Sequence, residues 1–271
     1  MVVMAFSKRS VFGFSVVLLG ALVGLGCDSD DSTTGSGGST GGGGGTDEPV
    51  GVQIFDGMGT WVDEGGPAGQ FGIQGAFFVL EDSVKDGVAV EDGLEHTDLT
   101  PDSFDETTAK PCVSGTVAKV TTADGGECNG AAAAGAADAC EWSAQWGGGI
   151  GLNLKETGGE DSVQGTVDLT AAGVVGFAFE VSGSVTGSGA TVRFKVTDEP
   201  NDGEDFCASI RLGQSNTVML SDLQHQCWGP NGTLNLDLTK AKQLQWQIVS
   251  SQNSAYEVAD FCIENISVIT E

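Results

Sequence analysis

Apolar and polar residues alternate in two runs close to the end of the chain. The first run, residues 243–248, reads QLQWQI. The second run has apolar residues at Phe261, Ile263, Ile266 and Val268. Successive side chains of a β-strand point to opposite faces, so this period predicts two antiparallel strands. Each strand is expected to turn its apolar face to a core and its polar face to solvent. The polar face of the first strand carries Gln245 and Gln247.

Short apolar segments of the same kind recur upstream, separated by Gly, Asp and Pro. They occupy residues 52–55, 75–80, 114–120, 149–154, 175–181 and 192–196. Apolar spacing with the period of a helix extends nowhere beyond about two turns. A series of strands without intervening helices is typical of an antiparallel β-sandwich, so the sequence predicts an all-β domain over residues 51–271.

Two stretches interrupt this pattern. Residues 81–110 are rich in acids, and we interpret them mostly as a long surface loop in which His96 is a solvated residue. Residues 130–137 are rich in alanine and are compatible with either a short helical turn or a tight loop between two cysteines.

The N-terminal residues 1–26 have the organisation of a signal peptide. Lys8 and Arg9 precede an apolar run, residues 11–25, which is short for a membrane span and typical of a signal-peptide core. Residues 22–27, LVGLGC, resemble the lipobox of bacterial lipoproteins, with Gly24 where that family prefers leucine. The resemblance implies that Cys27 is acylated; the competing interpretation is an ordinary secretory signal in which Cys27 has no such role.

Residues 27–50 are acidic and rich in Gly and Ser, with an unbroken glycine run at residues 41–45. Such a segment has almost no apolar side chain to bury, so we expect a flexible linker. The predicted organisation is therefore a signal peptide, a tether, and one β-sandwich domain held clear of a membrane.

The charge balance excludes one class of partner. The chain has 11 Lys and Arg residues against 38 Asp and Glu residues, a net charge of -27. Nucleic acid binding needs a basic surface, which this composition argues against. Electrostatic docking onto anionic lipid is disfavoured for the same reason, so membrane contact is expected through the lipid anchor only.

Cysteine usage supports export. Apart from Cys27, the chain has Cys112, Cys128, Cys140, Cys207, Cys227 and Cys262. An even number in an exported chain predicts three disulfides, and six cysteines allow fifteen pairings. The loop-closing hypothesis joins Cys128 to Cys140 and Cys207 to Cys227, which leaves Cys112 with Cys262. Zinc binding is the weaker alternative because the chain has no Cys-x-x-Cys pair.

Several segments in the second half resemble a known family in their order and spacing. They are residues 176–179, 190–198, 227–229, 244–248 and 261–266. Together they resemble the galactose-binding-like jelly rolls, and most of all the carbohydrate-binding modules of bacterial cellulases and of surface lipoproteins. The chain departs from the family at Glu264, where aspartate is usual, and at Glu180, which follows Phe179 where an aromatic residue is common.

The resemblance implies a jelly roll that binds glycan on its concave sheet. Sugar binding needs an aromatic plate for the pyranose ring and polar groups for the hydroxyls. Trp61 and Trp228 are the candidate plates. The candidate polar partners, for hydroxyl or carboxylate groups, are Arg193, Lys195, Gln245 and Gln247. The alternative is that these four are ordinary solvent-facing strand residues.

The remaining tryptophans are assigned from their neighbours. Trp246 shares its strand face with Leu244 and Ile248, so it is expected in the core. Trp142 and Trp146 flank a polar Ser-Ala-Gln stretch, and we expect one of them to be buried and the other exposed.

The resemblance also implies a structural Ca²⁺ ion near the chain ends. Asp56 and Glu264 are its candidate ligands, because a jelly roll brings its first and last strands together. The acidic loop at residues 198–205 is a rival site. Ca²⁺ takes six to eight oxygen ligands, which two carboxylates cannot supply alone.

Catalysis has no motif to support it. The chain contains no Gly-x-Ser-x-Gly, His-Glu-x-x-His or phosphate-binding Gly-x-x-x-x-Gly-Lys sequence. The leading hypothesis is a lipid-anchored protein of the cell envelope that binds polysaccharide without catalysis. The alternative is a structural or adhesive surface protein that contacts another protein and has no glycan site. An exposed pair of aromatic residues on one sheet face would favour the first hypothesis.

Overall fold

A computed structural model describes most of the chain from residue 51 onward. The described residues are 51–85, 88–102, 110–158, 162–187, 189–201, 204–227 and 234–271. The predicted signal peptide and linker, the lipidation site Cys27 and the candidate plate Trp228 lie outside them. Within the described ranges, no helix is long and apolar enough to cross a membrane.

The described residues form short and long strands joined by turns. The strands are β1 (Val52–Phe55), β2 (Trp61–Val62), β3 (Gly75–Glu81), β4 (Val84–Lys85), β5 (Val88–Ala89), β6 (Asp98–Pro101), β7 (Cys112–Val117), β8 (Gly147–Asn153), β9 (Val174–Thr186), β10 (Thr191–Asp198), β11 (Phe206–Ile210), β12 (Gln214–Met219), β13 (Gln224–His225), β14 (Ala241–Val249) and β15 (Tyr256–Thr270). Short 3-10 turns lie at Pro67–Phe71, Leu220–Asp222 and Leu238–Lys240.

Two antiparallel sheets carry the fold. One has seven strands in the order β13-β11-β10-β14-β8-β3-β2, and the other has six, in the order β12-β9-β15-β7-β6 with β1 also pairing with β15. A small separate pair is formed by β4 and β5. The prediction of an all-β, antiparallel sandwich is confirmed, and every upstream segment predicted to be a strand contains one.

The core lies between the two sheets and contains a cluster of aromatic rings. Phe179 of β9 lies 4.8 Å from Phe194 of β10 and 5.4 Å from Trp246 of β14, measured between ring centroids. All three side chains are buried. The predicted core position of Trp246 is therefore confirmed, because its strand turns Leu244 and Ile248 to the same interior.

The last two strands do not pair with each other. β14 pairs with β10 and β8 in the seven-stranded sheet, whereas β15 pairs with β9, β7 and β1 in the other sheet. Both segments are strands, as predicted, but the prediction that they pair with each other is wrong. Both strands carry apolar stripes, and those stripes meet across the core, because alternation predicts which face is buried and not which strand is the neighbour.

β15 changes its alternation twice, at two bulges. Asp260 and Asn265 have positive φ angles of 50° and 53°, and the pairing register shifts around both residues. A bulge places one extra residue in the strand, so the buried positions change parity there. This explains why the buried apolar series runs through Ile263 and then continues at Ile266.

Three disulfides are present, and they match the loop-closing hypothesis. Cys128 is bonded to Cys140 and Cys207 to Cys227. Cys112 of β7 is bonded to Cys262 of β15, its direct partner in the pairing register. The alanine-rich residues 130–137 form a tight loop inside the first of these bridges, which decides between the two earlier alternatives.

The acidic stretch at residues 81–110 lies mostly outside strands in its described part, but it is not loop throughout. It contains β6, which pairs with β7 at the edge of the six-stranded sheet. His96 is not solvated: its side chain is 7% exposed, and its Nε2 lies 2.9 Å from Asp92. The prediction from local composition was wrong for His96, because a tertiary contact with the buried Asp82 holds its side chain inside.

Candidate functional site

A groove crosses the outward face of the seven-stranded sheet. Its volume is about 1940 Å³. Residues of β3, β10 and β14 line it, and loops at residues 142–146, 204–205 and 250–253 contribute to the lining. Core side chains occupy the opposite face of the same strands. A groove of this size can hold an extended ligand.

Glycines occupy three outward positions of β8, the strand between β14 and β3 in the seven-stranded sheet. Gly147, Gly149 and Gly151 alternate there with the inward-facing Ile150 and Leu152. A Cβ atom at residue 151 would lie 2.3 Å from Cζ of the Phe78 ring, which covers this backbone. The Phe78 ring therefore lines the groove at this position in place of the β8 backbone.

The structure brings together four of the predicted ligand-binding residues. Arg193 and Gln247 are direct partners across β10 and β14, and Lys195 and Gln245 form the next such pair. All four line the groove. Strand alternation placed them on one face, and the register places the pairs side by side.

These side chains are less exposed than a solvent-facing strand would allow. Gln245 and Gln247 are each 4% exposed and Lys195 is 5% exposed, so the expectation of a wet face is wrong for them. The physical reason is that neighbouring long side chains on the groove floor cover one another, and the flanking loops shield them further. Arg193 is half-buried.

An amide ladder satisfies the buried glutamines. Gln243 Nε2 donates to Asn153 Oδ1 at 2.9 Å, and Gln245 Nε2 donates to Gln243 Oε1 at 2.8 Å. Gln247 Nε2 donates to the carbonyl of Trp146 at 2.9 Å. The Oε1 atoms of Gln245 and Gln247 accept no hydrogen bond from the part of the chain that is described. They are therefore acceptors available to a ligand hydroxyl.

Two cations lie next to each other on β10. Lys195 Nζ is 2.6 Å from Asp205 Oδ1 and 5.9 Å from the centre of the Trp146 ring. Burial lowers the pKa of the Lys195 ammonium, and the charge of Arg193 lowers it further, against the opposing effect of Asp205. Burial also lowers the pKa of Arg193. Both shifts have the expected direction for cations removed from water.

Two tryptophans, Trp142 and Trp146, line the groove. Trp142 is 42% exposed, and Trp146 is half-buried. A turn in which the amides of residues 144 and 145 donate to the Glu141 carbonyl positions the two rings. Gln145 fixes this turn, because its Oε1 accepts from the Thr121 amide at 2.8 Å and its Nε2 donates to the Glu95 carbonyl at 2.7 Å.

These tryptophans are the residues that the site prediction missed. The sequence signal was present, since Trp-x-x-x-Trp in a polar segment predicted one ring in and one out. Trp61, by contrast, is at the far edge of the sheet on β2, beside Gly158, and does not line the groove.

The opposite side of the groove is acidic. Asp82 is buried and accepts from the backbone amides of Thr97 and Gly147, each at 2.7 Å. Burial raises its pKa against those hydrogen bonds. Burial likewise raises the pKa of Glu81, which accepts from the Leu99 amide at 3.2 Å. These carboxylates join β3 to β8 and to the chain around β6.

The candidate calcium ligands lie at one end of the sandwich. Gly57, next to Asp56, is in contact range of the Glu264 side chain. The Glu264 carboxylate accepts from Lys110 Nζ at 3.1 Å and from Ser182 Oγ at 3.0 Å. Across the described residues there is no group of three or more His, Cys, Asp or Glu side chains placed to hold a metal. The calcium site stays a prediction.

The rival acidic loop is committed to internal contacts. Asp198 is buried and accepts from Asn201 Nδ2 at 2.7 Å and from the Asp237 amide at 2.6 Å. Asp205 is paired with Lys195. Oxygen atoms held in this way fix the loop to the sheet.

Comparison with known proteins gives few matches. No protein-family model and no curated protein matches the chain. Among solved structures, it is similar to a family 11 carbohydrate-binding module from Clostridium thermocellum in complex with a β-1,3-1,4-mixed-linked tetrasaccharide. The two share 13% identity with a TM-score of 0.29, and the match covers 71% of this chain and 97% of that chain. It is also similar to a solution structure of CtCBM11, with 16% identity, a TM-score of 0.28, and coverage of 72% and 95% respectively. TM-scores this low do not establish a shared fold, so the function has to be argued from the groove.

Proposed function

We propose that this chain is a lipid-anchored protein of the cell envelope whose groove binds polysaccharide without catalysing a reaction. The observation that carries the proposal is the pairing of an exposed aromatic plate, Trp142, with available amide oxygens at Gln245 and Gln247 in one groove. An indole face packs against the apolar face of a pyranose ring, and the amide oxygens accept from its hydroxyls. An open trough admits a chain of sugars better than a single small ligand.

The same observation favours glycan binding over a purely adhesive role. A protein-binding face is commonly centred on closely packed apolar and aromatic side chains. Here the floor is an amide ladder and a cation pair, and the aromatic residues lie at its side. Polar groups spaced along a trough suit repeated hydroxyls.

Several carboxylates that line the groove are engaged in internal contacts, which argues against catalysis; besides Glu81 and Asp82, Asp205 contacts Lys195 and Glu204 contacts His225. Glycoside hydrolysis needs two carboxyl groups free to act on opposite sides of one bond. Asp82 is held by two backbone amides and by the Thr97 hydroxyl, and Glu81 is held by the Leu99 amide. Their raised pKa values follow from burial in these structural roles.

Anchoring through Cys27 is supported by the lipobox resemblance and by the three disulfides, which are typical of exported proteins. Metabolic labelling with radioactive palmitate tests it. We expect label on the wild-type chain and none on the Cys27→Ser variant. Label retained by that variant would contradict acylation at this residue.

Glycan binding is tested with the full chain in mild detergent on an array of polysaccharides, with Ca²⁺ and with a chelator. We expect binding to a subset of polysaccharides. Silence on every polysaccharide would reject the proposal and favour the adhesive alternative. A signal that disappears with the chelator would support the predicted calcium site.

A further inference from the structure

Within the described part of the chain, Arg193 is a positive charge on the groove floor without a direct partner. Its guanidinium group lies beside Gln247 and forms no hydrogen bond or ion pair with any described residue. Asp205 acts on it only at longer range, because that carboxylate is held by Lys195 at 2.6 Å. A half-buried guanidinium with open donors is costly to keep without a partner.

The charges around Arg193 leave one cation unmatched. Arg193 and Lys195 are two residues apart on β10 and point to the same face, so they repel each other. Asp205 balances one of them. The nearby Glu204 is used by His225, whose Nε2 lies 2.8 Å from it. A carboxylate from outside the chain would complete this group.

We propose that Arg193 receives a carboxylate of the bound polysaccharide, so that the groove selects polymers containing uronic acids over neutral ones. This rests on the proposed function and specifies its ligand. A guanidinium presents its donors in a planar fork that matches both oxygens of a carboxylate, which a neutral sugar does not offer. Gln247 Oε1, beside it, accepts from a hydroxyl of the same sugar, and the Trp146 ring is available to the next one.

The acidic charge of the whole chain does not prevent this contact. The acids Glu81 and Asp82 belong to β3 and the residue after it, and β3 is separated from β10 by three strand spacings, or about 14 Å. Coulomb energy falls with distance, so the repulsion of a bound carboxylate at about 14 Å is about a third of the interaction of two charges at 4 Å. The groove is therefore polarised, with its cationic side on β10 and its acidic side on β3.

The test compares each acidic polysaccharide with its carboxyl-reduced twin, which has the same backbone with CH2OH in place of the carboxylate. The full chain in detergent is titrated with two acidic polymers, polygalacturonate and alginate, the second of which contains two kinds of uronate. It is also titrated with their reduced forms and with neutral β-glucans. We expect the tightest binding to an acidic polymer and a loss of about tenfold to a hundredfold on reduction. Arg193→Gln should remove that difference, and Arg193→Lys should restore part of it.

Arg211→Gln is the matched control, because Arg211 is exposed and does not line the groove. It should leave the preference for acidic polymers unchanged. Equal binding of acidic and reduced forms, or a neutral polymer as the tightest ligand, would overturn the assignment to carboxylates while leaving the proposed function intact. An acidic preference that persists in Arg193→Gln would overturn the role of Arg193. Failure of every polysaccharide to bind would reject both proposals.

Discussion

The Phe78 ring covers the backbone of Gly151, at a distance that leaves no room for a Cβ atom between them. This contact joins β3 to β8 on the outward face of the seven-stranded sheet, and Phe78 lines the groove. The position of this lining ring therefore depends on the glycine beneath it.

Gly151→Ala should impair both stability and binding. The new methyl group would push the Phe78 ring into the groove, since the added Cβ would lie 2.3 Å from its Cζ. We expect a loss of about 1–3 kcal/mol in the free energy of unfolding, measured with denaturant, and weaker glycan binding. Gly66→Ala is the control, because the nearest atom to its Cβ would be the Asp63 carbonyl at 3.5 Å. Equal stabilities of the two variants would show that Phe78 moves without cost.

Trp142→Ala should weaken glycan binding and leave the fold intact. The ring is 42% exposed at the groove, so its removal takes away a stacking surface and little core packing. We expect affinity to fall by about tenfold, measured by calorimetry against the best polysaccharide from the array, with the free energy of unfolding changed by less than about 0.5 kcal/mol. Met58→Ala is the matched control, since Met58 is 47% exposed and outside the groove lining. Unchanged affinity in Trp142→Ala would remove this residue from the site.

Asp82 should make stability depend on pH. Burial raises its pKa above the value in the unfolded chain, so between those two values the folded state binds more protons than the unfolded state. Its contribution to stability is therefore complete below the unfolded pKa, about 3.9, and is lost as the pH rises through the folded pKa. Urea titrations across this window should show a smaller loss of stability with rising pH in Asp82→Asn than in the wild type.

Asp82→Asn should also be less stable at every pH, because the carboxylate accepts from the amides of Thr97 and Gly147 and an amide group cannot replace both acceptors. Asp138→Asn, a change at an exposed carboxylate, is the control and should keep the wild-type slope. An identical pH slope in wild type and Asp82→Asn would contradict the raised pKa.

The disulfide between Cys112 and Cys262 should contribute more to stability than the one between Cys128 and Cys140. The first closes a sequence separation of 150 residues and the second a separation of 12, and a cross-link removes more entropy from the unfolded chain when its loop is longer. Paired alanine substitutions should cost about 5 and about 3 kcal/mol respectively, from denaturant unfolding under oxidising conditions. The reverse order would indicate that strain or residual structure dominates.

Prediction from sequence succeeded where local pattern is sufficient. Alternation at residues 243–248 predicted a strand with Trp246 inward, because the two faces of a strand follow from backbone geometry alone. It failed for His96, whose polar neighbours indicated a solvated loop. Burial of that side chain depends on Asp82, fourteen positions earlier, and no local rule reports such a contact.

The candidate site was predicted in part for the same reason. Arg193 and Lys195 share a face by their spacing, and so do Gln245 and Gln247, but only the pairing of β10 with β14 makes them neighbours. Trp61 was chosen as a plate from its place in the sequence, and the register put it at the sheet edge. Trp142 and Trp146 needed the turn fixed by Gln145 to reach the groove.

By itself, the sequence determined the strand content and the inward residues of the strands. The even number of cysteines, in a chain predicted to be exported, gave the expectation of three disulfides. The strands and their inward residues follow from alternation among neighbouring residues, and the disulfide expectation follows from a count of cysteines. Neither needs knowledge of which distant segments meet. Tertiary structure alone decided that β14 and β15 lie in different sheets and that the glutamine row is shielded. It also decided that Arg193 has no hydrogen bond or ion pair with any described residue. Each of these depends on which distant segments pack together, and strand alternation carries no information about that.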